Sequence, residues 1–157
     1  MYSVLFVCTA NQCRSPMAEA LWRDYVAVHY PQDVWEIASA GTWTGKGRYA
    51  MPLTVQVLAE QGLDASSHRS QPVDWSLIYQ YRLILVMEQN HKEALQHEFP
   101  EARNRIYLLA EMSGPGYSVA DPVRGGLDHY RQTLAELADL LAHGAERIRN
   151  LACEPQG

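Results

Sequence analysis

The stretch Val4-Leu5-Phe6-Val7-Cys8-Thr9-Ala10-Asn11-Gln12-Cys13-Arg14-Ser15-Pro16 decides the fold. Its four leading apolar residues predict a strand buried on both faces. Ser15-Pro16 predicts a helix start, with Ser15 at the N-cap and Pro16 at the first helical position. Met17, Leu21, Tyr25 and Val28 follow at helical spacing.

Downstream the alternation repeats. Trp35 to Ala38 reads as a second strand, closed by Ser39-Ala40-Gly41. Pro52 opens a helix, and Gly62 stands where a C-terminal cap belongs. Leu83 to Met87 is a third buried strand, His91 to Phe99 a helix stopped by Pro100, and Arg105 to Leu109 a fourth strand. Gly114-Pro115-Gly116 and Gly125-Gly126 bracket a loop. Leu127, Tyr130, Leu134, Leu137 and Leu141 then mark a long amphipathic last helix. The expected fold is a three-layer α/β sandwich, a central four-stranded parallel sheet with helices on both faces, as one domain over residues 1–157. Ligands of such sheets sit at the carboxyl ends of the strands, so the loop after the first strand is the first place to look for chemistry.

Bulk properties narrow the function. A net charge of −5, with basic residues scattered, disfavours a nucleic-acid face. No apolar stretch is long enough to span a membrane, and the N-terminal apolar run lacks a basic flank, so neither anchor nor signal peptide is expected. Three cysteines, Cys8, Cys13 and Cys153, point to free thiols in a cytoplasmic protein. Their spacing is not that of a zinc site, and the six histidines form no HxxxH pair, so no metal or other cofactor is expected.

The loop itself is Cys, five residues, Arg, then Ser. A loop of this length can turn successive backbone N–H groups inward as an anion nest, backed by the positive end of the helix dipole. Arg14 can close its planar fork on two phosphate oxygens. The same positive setting favours a thiolate at Cys8, poised for in-line attack on phosphorus. A Cys after a buried strand is otherwise often a small core residue, and an Arg at a helix start is often solvated. The strand before the pair and the Ser-Pro after it supply the context that favours chemistry.

Val4 to Cys8 with Arg14-Ser15-Pro16-Met17-Ala18-Glu19-Ala20 closely resembles the low-molecular-weight protein tyrosine phosphatases. The resemblance continues through Ser39-Ala40-Gly41-Thr42, His68-Arg69-Ser70, Val86-Met87 with Asn90, and Asp121-Pro122, nearly the whole chain in order. It implies metal-independent hydrolysis of phosphate monoesters, on phosphorylated protein or aryl phosphate, through a cysteinyl-phosphate. Cys8 would be the nucleophile, Arg14 the phosphate clamp and Asp121 the general acid. Thr9, Ala10, Asn11, Gln12, Cys13 and Ser15 would build the phosphate loop, with Ser39 and His68 in its supporting network. A monomer or weak dimer, with no nucleic-acid or membrane partner, is expected.

Three positions depart from the family pattern. Val123 stands where an aromatic cleft wall usually follows Asp-Pro. Trp43 and Val123 would be the cleft walls, although Trp43 follows Thr42 directly, nearer than the opposite wall usually lies. Gln12 replaces the Ile common in phosphotyrosine enzymes and the Thr of the arginine-phosphatase branch, which keeps protein-arginine phosphatase as the alternative to phosphotyrosine. Arsenate reductase needs two further cysteines after the third strand, and Glu88 to Arg103 has none. A phosphocysteine carrier needs neither Arg14 nor Asp121, and a phosphate-binding module that had lost activity would not need all three residues intact. Cys13 has two open readings, a thiol that resolves oxidised Cys8 or a space-filler beneath the loop.

Overall fold

Val4, Leu5, Phe6 and Val7 are all buried, so the strand that carries them has cover on both faces. The structure, a computed structural model, describes residues 1–155; the last two residues of the expected 1–157 domain lie outside them. β1 (Tyr2–Cys8) lies between β2 (Trp35–Gly41) and β3 (Leu83–Val86), and β4 (Ile106–Leu108) lies beyond β3, giving the order β2-β1-β3-β4. All three pairings are parallel.

Helices fill both faces. Val4, Phe6, Leu83 and Leu85 point into one core with α1 (Arg14–His29), α2 (Pro52–Glu60), α5 (Leu127–His143) and α6 (Ala145–Ala152). Leu5, Val7, Ile84 and Val86 point into the other, under α3 (Trp75–Gln80) and α4 (Gln89–Glu98). This is the expected three-layer architecture. Gly62 takes φ +75° past the end of α2, with Leu63 N–H donating to Leu58 and Gly62 N–H to Ala59, a Schellman cap that glycine adopts without strain. No helix of the described residues is long and apolar enough to cross a membrane.

Several local readings change. Ser15 does not cap α1: the helix begins at Arg14, its N-cap Cys13 makes no side-chain cap, and the Ser15 hydroxyl is buried beneath the loop. Val28 is exposed, and the buried face of α1 runs through Met17, Ala18, Trp22 and Val26. The fourth strand is only three residues, because Arg105 ends one 3-10 turn and Leu109 starts another. Helices α3 and α6 carry no periodicity long enough to read, although Asp74 caps α3 by accepting from Leu77 N–H.

Candidate active site

The carboxyl end of β1 feeds the loop directly, and β2 clamps it. Thr42 N–H donates to the Cys8 carbonyl at 2.9 Å and Trp43 N–H to the Thr9 carbonyl at 3.0 Å. Gly41 permits this approach, since a Cβ there would lie 2.6 Å from the Thr9 oxygen. Asn11 is the only non-glycine residue with positive φ among the described residues, at 56°, a conformation that Asn tolerates better than most. Among those residues, the N–H groups of Ala10, Asn11, Gln12 and Cys13 donate to no backbone acceptor. The curl therefore leaves its own donors uncommitted at the head of α1.

Beneath the loop runs a hydrogen-bond chain with a fixed direction. Ser39 donates to the Glu19 carboxylate at 2.7 Å, so its oxygen is left to accept from Asn11 Nδ2 at 2.9 Å. The other Asn11 Nδ2 proton goes to Ser15 Oγ, also at 2.9 Å, and Asn11 Oδ1 accepts from Gln71 N–H at 3.0 Å. Ser15 thus has one proton left, with Cys8 Sγ at 3.0 Å and the Ala40 carbonyl further off at 3.4 Å. Glu19, an acceptor only, polarises the chain so that the Ser15 O–H can turn to the sulfur. His68 Nε2 donates to the Asn11 carbonyl at 2.7 Å. Asn11, Ser15, Ser39 and His68 therefore meet in one network, and Glu19 and Gln71 join it unanticipated.

Arg14 is 1% exposed. Nη1 faces Glu88 Oε2 at 3.0 Å and donates to the Val119 carbonyl at 2.7 Å, while Nη2 lies 3.5 Å from Asp121 Oδ2. Nε is buried with no hydrogen-bond partner among the described residues. An unpaired buried guanidinium donor is costly enough to require an explanation. His91 closes this side: its Nδ1 accepts from Glu88 N–H at 3.2 Å, so Nε2 carries the proton and donates to Thr9 Oγ1 at 2.8 Å. Burial, and then the Arg14 charge, push its pKa down to about 4, so the ring is neutral. Neither Glu88 nor His91 was singled out from the sequence; their signal is the reciprocal bonding of residues 88 and 91 at the start of α4.

Cys8, Arg14 and Asp121 line one small cavity of about 60 Å³, with Met51 and Val123 at its walls. Asp121 is held there by tertiary contacts: Val119 N–H donates to the Met87 carbonyl at 2.8 Å, and Gln89 N–H to Ser118 Oγ at 2.9 Å. Asp121 Oδ1 accepts from Val123 N–H at 3.1 Å, which aims the other oxygen at Arg14. Trp43 is not in this cavity. It is 84% exposed and lines a neighbouring hollow, and Met51 takes the inner wall because its N–H donates to the Gln12 carbonyl at 2.9 Å. Gln12 directs Nε2 to the Tyr49 carbonyl at 2.8 Å, leaving Oε1 for a ligand. Cys13 is buried beside Cys8, and burial pushes its thiol up to about 12, which favours its reading as a space-filler.

Comparison with known proteins gives a consistent neighbourhood. The family model described as "Low molecular weight phosphotyrosine protein phosphatase" matches residues 3–151. A protein-arginine-phosphatase of Bacillus subtilis (strain 168) is 35% identical over 147 residues, 93% of this chain and 96% of that one. A probable low molecular weight protein-tyrosine-phosphatase, EpsP, of Ralstonia nicotianae is 34% identical, with 95% and 97% covered. The crystal structure of a YwlE mutant from Bacillus subtilis superposes with a TM-score of 0.88 at 32% identity, covering 94% of this chain and 99% of that one.

Proposed function

The chain belongs to the low molecular weight phosphotyrosine protein phosphatases, which are hydrolases, and from that premise we propose that Cys8, Arg14 and Asp121 carry its catalysis. The observation that carries this reading is the unpartnered Arg14 Nε. Glu88 and the Val119 carbonyl hold one side of the guanidinium, so Nε and Nη2 present a fork beside Cys8. A phosphate binding there would satisfy the orphaned donor and the free loop N–H groups together.

In the first step Cys8 Sγ attacks phosphorus as Ser15 donates to the sulfur. The S–P bond forms, the P–O bond to the leaving group breaks, and Asp121 gives its proton to the departing oxygen. In the second step water attacks the phosphocysteine, Asp121 takes a proton back, and the thiolate leaves. Arg14 and the loop N–H groups stay fixed on the phosphoryl oxygens, where charge builds in both transition states.

Protein phosphotyrosine is the substrate we assign. The sulfur lies deep, with Cys8 only 3% exposed, so a long flat side chain reaches it more easily than a phosphoserine. A second reading, phosphoarginine, is supported by the free Gln12 Oε1, which could accept from a guanidinium, and by the arginine-phosphatase relative. Free cysteines support a cytoplasmic setting. The test is kcat/KM on matched phosphotyrosine and phosphoarginine peptides. Tyrosine should be preferred; a phosphoarginine preference that Gln12→Ile reverses would reassign the substrate.

A further inference from the structure

Beside the catalytic cavity lies a second hollow of about 390 Å³, and the two share Ala10 and Gln12 as a common wall. Its remaining walls are Trp43, Thr44, Gly45 and Arg48. Trp43 has no aromatic partner and Arg48 no carboxylate partner among the described residues.

The backbone beneath these side chains is tied down. Ser70 N–H donates to the Arg48 carbonyl at 2.7 Å, and Ser70 Oγ accepts from Arg48 N–H at 2.9 Å. Ser70 Oγ also donates to the Gly45 carbonyl at 2.7 Å, and the Ser70 carbonyl accepts from Gly47 N–H at 2.8 Å. On the other flank Gln12 grips the Tyr49 and Met51 backbone. Four bonds to one serine hold a segment that fills no core, while its tryptophan and arginine stay in solvent. Such pre-organisation lowers the cost of ordering a recognition surface on binding.

The chain that builds its outer wall carries only cations, and the one carboxylate beside it, Asp121, lines the catalytic cavity beyond the shared wall. The chain carries −5 overall, yet no Asp or Glu occurs between Glu36 and Glu60, while Lys46 and Arg48 do. Arg69, stacked 3.7 Å over the Tyr49 ring, adds a third cation next to Ser70. Arg124 follows Val123, a wall residue of the catalytic cavity, in the chain.

We propose that the Trp43–Arg48 hollow is a subsite for the residue flanking the phosphorylated side chain, and that it selects a carboxylate, so that the substrates are acidic phosphopeptides. The proposal rests on the phosphatase reading above. Arg48 would pair with the flanking Asp or Glu, and the Trp43 indole would cover the peptide backbone beside it.

The experiment measures kcat/KM on three phosphotyrosine peptides that differ only at the flanking residues, glutamate, glutamine or lysine, with p-nitrophenyl phosphate as reference. Glutamate should exceed glutamine by about two- to fivefold per engaged carboxylate, the range of one exposed ion pair. The gain should appear in KM and shrink in high salt. Arg48→Ala should bring the glutamate-to-glutamine ratio close to one, and Arg48→Glu should invert the order towards lysine. Both changes lie on an exposed side chain whose backbone bonds are retained. If the parent hydrolyses p-nitrophenyl phosphate but treats the three peptides alike, or if its acidic preference survives Arg48→Glu, the subsite is wrong and the phosphatase reading stands. If the parent does not hydrolyse p-nitrophenyl phosphate, both fall.

Discussion

Removing the Asn11 amide should cost both stability and turnover, and the structure gives the size of each. The side chain is wholly buried and makes three hydrogen bonds, to Ser15, Ser39 and the Gln71 N–H. At about 1 kcal/mol net per bond, their loss amounts to about 3 kcal/mol. Asn11→Ala adds about 1 kcal/mol, because Ala lacks the short polar side chain that lets Asn tolerate φ 56°. Asn11→Gly avoids that strain but gains unfolded-chain entropy of similar size, about 0.5–1 kcal/mol. The two variants should therefore fall together, by about 3–4 kcal/mol, against a total stability of about 5–15 kcal/mol for an ordinary domain. Turnover should drop on the order of a hundredfold, because a loop without its tether misplaces the donors around Cys8. Urea unfolding with an unchanged slope, alongside kcat/KM on an aryl phosphate, reads both quantities. A loss below about 1 kcal/mol in both variants, with kcat/KM within about twofold of the parent, would refute a structural role for the network.

His91 should shape acid stability. Its folded value of about 4 lies below the ordinary 6.5, so below pH 6.5 the unfolded chain takes up a proton that the folded chain refuses. The contribution is complete above 6.5 and is lost as pH falls to about 4, at no more than about 1.4 kcal/mol per pH unit. His91→Gln should flatten the stability profile in that window, and an identical slope in parent and variant would contradict the neutral buried ring. Cys13, pushed up to about 12, should resist iodoacetamide at neutral pH while Cys8 is alkylated. After brief peroxide treatment, Cys13→Ser should recover activity under dithiol as well as the parent does; poorer recovery would restore the resolving role.

The first strand, the loop and the first helix were legible because three independent signals coincide between Val4 and Met17. Ser15 has the composition of a cap, but its hydroxyl serves the Cys8 network, and the start of α1 has no side-chain cap. Asp121 could not be placed near Cys8 from local pattern, since Val119, Met87, Ser118 and Gln89 bring the two together across the fold. The place of Trp43, in the neighbouring hollow rather than the catalytic cavity, was hidden for a similar reason. The Gln12–Met51 bond, a long-range contact, decides which residue lines the inner wall. Glu88 and His91 escaped notice because a glutamate cap with a histidine partner lacks the usual Ser or Thr signature. Helix α6 was hidden because its 8 residues give too short a periodic run to read and only Gly144 separates it from α5.

The proposed mechanism passes through a covalent phosphocysteine at Cys8, formed before water enters. Mixing the protein with a fast-leaving aryl phosphate and quenching in acid within one turnover should trap it. Intact-mass and peptide analysis should then find one added phosphoryl group on the peptide bearing Cys8, and none in Cys8→Ser, which should still bind vanadate or inorganic phosphate. Full hydrolysis by Cys8→Ser, or a parent that turns over with no phosphorylated intermediate at any quench time, would contradict the mechanism.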